Sequence, residues 1–222
     1  MNGEEIFYKR NLPHIHPKEG FFFITFRLSG TIPKYVLERL REERENQIKT
    51  IKYRRFTKQY LDERYKADKR FFASYDKWLD ECNSGPVWLK NSQIARIVYD
   101  KMMEFDTYKY KLVCFCIMSN HVHLLIDITG FKHNTDQPQR SKTTFYYLAD
   151  VLRLIKGSTA RQCNKLLNRS GQFWHHESYD HYVRDEKELA RIIKYILNNP
   201  VKAGLTDNYS DWEFSYYKKD FF

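Results

Sequence analysis

The chain has 222 residues, enough for one domain or for one domain with a substantial insertion. Its 38 lysine and arginine residues outnumber 28 aspartate and glutamate residues, and 17% of the residues are aromatic. The resulting net charge of +10 favours a polyanionic partner, nucleic acid or a membrane surface, and rings interleaved with cations suit single-stranded nucleic acid. Since the first ten residues are polar and no apolar run reaches the ~18 residues that span a bilayer, we expect a cytoplasmic protein with reduced cysteines and no membrane partner.

The N-terminal half predicts one strand followed by helices. An aromatic, β-branched run at residues 21–28, bracketed by glycines, predicts a buried strand. Residues 33–69 contain no glycine and no proline after Pro33 and are rich in Glu, Arg and Lys, which is typical of helix. Helical signals continue at 75–82 and 93–105. The basic excess of the first helical stretch fits either a solvated face or an arm that contacts DNA.

The C-terminal half predicts an alternation of strands and helices. The predicted elements are strands at 111–118 and 121–128, a polar loop at 130–142, a helix at 145–167, a short strand within 172–184 and a last helix at 185–198. Asp185 and Glu188 form a capping box at the start of that helix, and Pro200 is expected to end it. This order predicts an α+β fold around an antiparallel sheet, with helices on one face.

The pair His121-Val122-His123 is the sharpest local feature. Side chains alternate along a strand, so both imidazoles project from one face while Val122 faces the core. Two neutral imidazoles at this spacing could share one divalent metal and leave positions open for a phosphate oxygen. Asp127 lies further along the same face and could support the site.

The histidines and cysteines also allow other interpretations. A second pair, His14-Ile15-His16, lies between prolines without a strand pattern and is interpreted as structural. Cys114 and Cys116 could join His121 and His123 in a closed zinc site. Both cysteines, however, lie within an apolar strand, where buried free thiols are the usual outcome.

The last helix carries a second candidate group, Tyr195 with Asn199. Residues four apart share a helix face, so a phenol oxygen could lie next to an amide oxygen that binds the same metal. A tyrosine at the edge of the core and a helix-ending asparagine would give the same pattern. The polar and aromatic segment 173–181 could supply further ligands or base-stacking rings.

Together these segments resemble one family. The sequence MSNHVHLL resembles the HUH box, two histidines around a hydrophobic residue, of single-tyrosine transposases. The segment FWHHESYDHYVRDEKELARIIKYILNNPVKAGL is similar to the C-terminal signature of their REP-associated branch. The opening NLPHIHPKEGFFFITFRLSGTIP is similar to the start of a subgroup. The resemblance spans most of the chain, whereas residues 33–105 match only in general character.

The resemblance implies a ferredoxin-like βαββαβ core, a helical insertion at about 33–105 and a C-terminal helix that carries the nucleophile, within a single transposase-like domain. By matching motifs, His121 and His123 are the metal ligands and Tyr195 is the nucleophile. Asn199 is the third ligand, where many relatives have Gln, and the metal is Mg²⁺ or Mn²⁺.

The implied activity is cleavage and rejoining of single-stranded or hairpin DNA through a 5′-phosphotyrosine. We expect a monomer with its tyrosine acting in cis, and a dimer is the alternative. A catalytically idle nucleic-acid-binding regulator on the same fold is the second candidate function. A structural zinc protein is the third.

Overall fold

The computed structural model describes residues 6–7, 15–16, 19–55, 57–81, 84–131 and 144–221. Their helices are Lys34–Lys49 (α1), Lys58–Glu81 (α2), Ser92–Glu104 (α3), Thr144–Leu166 (α4) and Glu186–Lys202 (α5). Their strands are Ile6–Phe7 (β1), Ile15–His16 (β2), Phe21–Arg27 (β3), Lys111–Ile117 (β4), His121–Asp127 (β5), Tyr179–Tyr182 (β6) and Ser215–Tyr217 (β7). Cys82, His14 and most of the predicted loop at 130–142 lie outside the described residues.

The chain divides into two compact units. Residues 1–29 and 87–222 form the first, and residues 30–86 form the second. Helices α1 and α2 make up the second unit, whereas α3, which lies inside the predicted stretch 33–105, belongs to the first. That the whole chain works as a single transposase-like domain stays a prediction.

The first unit is built on a five-stranded sheet with the order β6-β3-β5-β4-β7. Every neighbouring pair is antiparallel. Taken with the two helices that connect its strands, the order β3-α3-β4-β5-α4-β6 is a βαββαβ arrangement to which β7 adds an edge strand. The predicted α+β fold with a ferredoxin-like core is therefore confirmed, and α3 is its first crossover helix.

One face of this sheet forms the main apolar core. Alternate residues of β3 and β5 point into it, including Phe22, Ile24, Val122 and Leu124, and all are fully buried. Apolar residues of α3 and α4 complete the same core; they include Ile94, Val98, Met102, Leu148, Val151 and Ile155. Because this face takes the apolar residues, the opposite face is free to carry the polar side chains of β3 and β5.

Helix α5 lies on that opposite face. Tyr195 on α5 contacts Phe23, whose side chain points away from the main core, with ring centroids 6.0 Å apart. The prediction that the helices share one face is therefore wrong for α5. The reason is that β3 is buried on both of its faces. Its second face carries Phe23 beside the polar Thr25 and Arg27, all of them buried, so this face also needs a covering helix.

The predicted end of α5 at Pro200 is also wrong, since the helix continues to Lys202. Proline lacks only its own N–H, and in the last turn this removes one helical hydrogen bond. The N–H groups of Ala203 and Leu205 bond to the carbonyls of Asn199 and Pro200 and close the helix. Gly204, with φ of +67°, follows in the left-handed conformation that ends many helices.

The second unit is a helical hairpin of α1 and α2. The two helices pack on each other along buried apolar residues, among them Leu37 and Leu40 on α1 and Phe71 and Leu79 on α2. The sequence predicts one helix from 33 to about 69, but the chain leaves the helix at residues 50–57. Thr50 and Thr57 hydroxyls bond to nearby backbone carbonyls there, which stabilises turns at the expense of helix.

Candidate active site

Two buried imidazoles stand at the start of β5. The alternation of the strand sends Val122 and Leu124 into the main core and His121 and His123 to the face that carries α5. Both histidines are fully buried. A buried polar ring must have partners, so the contacts of each ring nitrogen define what the pair can do.

The Nδ1 atoms of the two histidines are held by neighbouring side chains. His121 Nδ1 lies 2.6 Å from Asn120 Oδ1, and His123 Nδ1 lies 2.8 Å from Thr25 Oγ1. With Nδ1–H of His121 donating to the Asn120 oxygen, the proton of that ring is on Nδ1, and Nε2 carries the lone pair that can bind a metal. Such partners orient histidine ligands in metal sites.

The two Nε2 atoms face each other at 3.0 Å. Two lone pairs at that distance repel unless a proton or a cation lies between them. A separation of 3.0 Å is what two nitrogens would have at about 2.1 Å from one ion and about 90° apart. The donor set and its spacing therefore fit one divalent metal ion.

Tyr195 projects from α5 beside this pair. Its ring centroid lies 5.4 Å from that of His123 and 6.0 Å from that of Phe23. The helix is fixed at its start by the predicted cap, in which Asp185 accepts the Glu188 N–H at 2.8 Å. The second half of the predicted capping box differs, because the Glu188 side chain accepts the N–H of Arg184, the residue before the cap, at 3.1 Å. The same chain thus brings the predicted nucleophile against a predicted metal ligand.

Asn199 lies one helical turn after Tyr195 and is almost fully buried. Neither its side-chain oxygen nor its side-chain nitrogen has a hydrogen-bond partner among the described residues. An unsatisfied buried amide destabilises a protein by about 1–3 kcal/mol, so it calls for an explanation. Binding of a ligand by the amide oxygen would explain why this buried group has no partner among the described residues.

The cysteines do not join the histidines. Among the described residues, no cluster of potential metal-ligand atoms contains either Cys114 or Cys116. Both thiols are buried and outside any disulfide, and burial raises the pKa of Cys114 well above its ordinary value. The described geometry therefore favours the interpretation of these two cysteines as buried thiols over the zinc site.

Other predicted groups lie elsewhere. Asp127 accepts the backbone N–H of Thr129 at 2.8 Å and lies 3.8 Å from Lys111 Nζ, and no contact links it to the histidines among the described residues. His181 pairs with Glu188 at 3.3 Å, so it connects β6 to α5. Burial raises the pKa of Glu188.

The segment 173–181 is mainly structural. Phe173 and Trp174 are buried in the main core and do not form an open base-stacking surface. Lys156 on α4 donates to the carbonyls of His175 and His176 at 2.6 and 2.9 Å. This lysine fixes the segment against α4.

Three residues of the site were missed by sequence reasoning. Thr25 holds His123, Asn120 holds His121, and Arg27 is fully buried opposite His121 in the pairing of β3 with β5. Burial, together with the positive charge of Arg27, lowers the pKa of His175 to about 4. The available signal was two polar residues, at positions 25 and 27, in an otherwise aromatic and aliphatic strand.

The fold and the positions of these side chains agree with the class of protein that the motifs resemble. A ferredoxin-like sheet with paired histidines on one strand and a helical tyrosine beside them has the arrangement that the resemblance to single-tyrosine transposases implied. Within the described ranges, no helix is long and apolar enough to cross a membrane.

Comparison with known proteins is consistent with this class. The chain is 27% identical over 115 residues to a Haemophilus influenzae protein provisionally named a REP-associated tyrosine transposase, a match that covers 52% of this chain and 63% of that protein. It is 33% identical over 100 residues to an uncharacterized protein of the same organism, covering 39% and 52% respectively. The chain thus spans less than two thirds of either curated relative.

A solved structure of a REP-associated tyrosine transposase bound to a REP hairpin aligns with a TM-score of 0.49 and 17% identity, over 94% of this chain and 80% of that chain. No family model matches the chain. The sequence relationship to the Haemophilus influenzae protein confirms the similarity to REP-associated tyrosine transposases that the motifs indicated.

Proposed function

We propose that the protein is a transposase or endonuclease that cleaves and rejoins single-stranded or hairpin DNA through a covalent tyrosine intermediate. The observation that carries this proposal is the convergence of His121, His123 and Tyr195 on one face of the sheet. A binding protein on the same fold would need none of these contacts.

Tyr195 is the proposed nucleophile. Its Oη attacks the scissile phosphorus, a new bond forms between Oη and phosphorus, and the bond from phosphorus to the 3′-oxygen breaks. The phenol proton passes to solvent or to a nearby base, and the departing 3′-oxygen takes up a proton to become a hydroxyl. Attack by the 3′-hydroxyl of another strand reverses the step, and because the phosphodiester energy is kept in the intermediate, no nucleotide cofactor is required.

His121 and His123 would hold a divalent ion, Mg²⁺ or Mn²⁺, with Asn199 as the third ligand. When bound, the ion supplies positive charge to the non-bridging phosphate oxygens. Thr25 and Asn120 keep the two imidazoles oriented, so that the rings need not rotate to bring their Nε2 atoms to the ion. Arg27 adds a fixed positive charge on the same face.

A monomer that acts in cis is favoured. Tyr195 reaches His123 of its own chain, and α5 follows β6 after only three residues. A helix tethered that closely needs no neighbouring subunit to complete the site.

The experiment that tests this function is incubation with hairpin DNA bearing single-stranded flanks and Mn²⁺, followed by a denaturing gel. Wild-type protein should form a covalent adduct, and Tyr195→Phe should form none while binding DNA within a few-fold of wild type. Tyr179→Phe is the matched control, because Tyr179 also contacts Phe23, with ring centroids 6.3 Å apart. An adduct that depends on Tyr179 would show that Tyr179, and not Tyr195, is the nucleophile. DNA binding without any adduct would favour a catalytically idle nucleic-acid-binding regulator.

A further inference from the structure

The connection between α1 and α2, residues 49–58, concentrates the positive charge of the helical hairpin; we refer to it as the basic turn. It has no acidic residue, and its cations are Lys49, Lys52, Arg54, Arg55 and Lys58. The unit 30–86 has 14 basic and 10 acidic residues in total, so 9 basic and 10 acidic residues remain outside the basic turn. The whole positive excess of the unit therefore lies within ten residues.

Five of the nine cations outside the basic turn form ion pairs within the hairpin. Four of these pairs join residues three or four positions apart on one helix, and the fifth links α1 to α2; the pairs are Lys34–Glu38, Arg39–Glu43, Lys66–Glu63, Lys77–Glu81 and Arg44–Asp68, at 2.6–3.8 Å. The five cations of the basic turn are exposed, and none of them has a carboxylate partner among the described residues. Unpaired like charges repel one another, so an added polyanion would relieve that repulsion.

The hairpin holds this turn in place. Arg44 Nε lies 2.6 Å from Asp68 Oδ1, and both side chains are largely buried, which ties α1 to α2 near the basic turn. The Thr57 hydroxyl accepts the Tyr60 N–H at 3.3 Å and caps the start of α2. These two contacts thus stabilise the helices on either side of the basic turn.

An exposed aromatic ring lies among the cations. Tyr53, between Lys52 and Arg54, is 52% exposed. A carboxylate-rich protein surface would pair with the cations but would not stack on this ring. Single-stranded DNA would use both, because its phosphates pair with cations while an unpaired base stacks on the ring.

We propose that the basic turn is a binding surface for single-stranded DNA, with its lysines and arginines on the phosphates and Tyr53 stacked on a base. The inference rests on the proposed function only in taking DNA as the ligand class. It gives α1 and α2 a role in DNA binding that is separate from the proposed roles of the paired histidines and Tyr195.

The test compares two triple variants of the full chain in the Tyr195→Phe background, where no cleavage complicates binding. The first, Lys52→Gln with Arg54→Gln and Arg55→Gln, removes three unpaired cations of the basic turn. The second, Lys34→Gln with Arg39→Gln and Lys77→Gln, removes three cations of the same unit that are exposed and paired. Both lower the net charge by the same amount, and circular dichroism checks that both are folded.

Affinity for a fluorescent single-stranded oligonucleotide is measured by anisotropy over a range of salt concentrations. The turn variant should bind about tenfold or more weakly, and its slope of log K against log salt should become shallower by about 2, since each lost phosphate contact contributes about 0.7. The control should stay within about threefold. Equal losses in both variants would mean a general charge effect and would overturn the proposal, as would no loss in the turn variant.

Tyr53→Leu separates single-stranded DNA from other polyanions. It should weaken binding of the single-stranded oligonucleotide and leave binding of duplex DNA and heparin unchanged. Equal loss for all three ligands, or for none, would overturn the stacking contact. These outcomes can be told apart from those of the adduct assay. If wild-type protein forms the adduct but the turn variant binds DNA normally, only the inference about the basic turn is wrong. If the turn variant binds weakly but wild-type protein forms no adduct, only the proposed function is wrong.

Discussion

At the residue scale, single hydrogen bonds prepare the histidine pair. Asn120 and Thr25 hold the Nδ1 atoms, and the Nε2 atoms meet at 3.0 Å. Without these partners each imidazole could rotate or exchange its proton between nitrogens. We therefore expect Asn120 and Thr25 to contribute to metal affinity by orienting the two histidines.

Asn120→Ala is expected to weaken Mn²⁺ binding by about 10–100-fold, because the Nδ1–H of His121 loses its acceptor and the ring loses its fixed orientation. Isothermal titration calorimetry measures the affinity. Asn120→Asp keeps an acceptor oxygen and should bind Mn²⁺ like wild type. ¹⁵N NMR of His121 without metal should show the proton on Nδ1 in wild type and a mixture in Asn120→Ala; unchanged affinity and unchanged tautomer in Asn120→Ala would refute the positioning role.

Asn199 supplies a second prediction, in which stability and binding move in opposite directions. Replacing its unsatisfied amide by an apolar side chain of similar size, Asn199→Leu, should raise the free energy of unfolding of the metal-free protein by about 1–2 kcal/mol. The same change should weaken Mn²⁺ binding. Urea unfolding and calorimetry measure the two effects, and a loss of stability with normal Mn²⁺ affinity would show that Asn199 is a packing residue only.

At the element scale, the start of α5 determines where Tyr195 stands. Asp185→Ala removes the acceptor for the Glu188 N–H and should lower the free energy of unfolding by about 1 kcal/mol. The neighbouring exposed change Lys187→Ala should stay within about 0.5 kcal/mol. Urea denaturation compares both with wild type, and an equal effect of the two changes would argue against the cap.

The elements that could be predicted from the sequence are those with a clear period. Alternation along the chain predicts the strands at 21–27, 111–117 and 121–127, and these agree with the structure to within a residue or two. Local hydrogen bonding predicts the helix cap at Asp185, which the structure also has. These patterns depend only on neighbours in the chain. The position of each histidine relative to the core follows from the same alternation.

The remaining features depend on tertiary contacts. The break at 50–57 contains no glycine or proline, so composition alone predicts continuous helix. Helix α3 follows α1 and α2 in one long stretch with helical signals, and its packing against the sheet, with Ile94 and Val98 in the main core, is a tertiary contact that the helical signals do not reveal. Thr25 and Asn120 become site residues only because their strands and turns meet the histidines.

At the scale of the whole molecule, the chain combines a sheet unit that carries the candidate site with a helical unit that carries a concentrated positive charge. The sheet unit contains both the histidines and the tyrosine, so one chain holds every side chain that the proposed reaction names. This arrangement makes the cis assignment testable by mixing.

Mixing inactive Tyr195→Phe with inactive His121→Ala should restore no cleavage, because neither chain contains both groups and the site is completed within one chain. Cleavage of labelled hairpin DNA in Mn²⁺ is the measurement, and circular dichroism shows that each variant is folded. Activity recovered on mixing would establish that the tyrosine of one subunit serves the histidines of another.

If the proposed function is correct, Tyr195 becomes covalently attached to DNA, and peptide mapping of the adduct measures this directly. Wild-type protein is incubated with hairpin DNA and Mn²⁺, the DNA is trimmed by nuclease, and the peptides are sequenced by tandem mass spectrometry. We expect a single nucleotide-linked residue, Tyr195, and we expect this modification to be absent when Mn²⁺ is chelated before DNA is added. A nucleotide on any other residue, or unmodified Tyr195 in protein that has bound and cut the DNA, would contradict it.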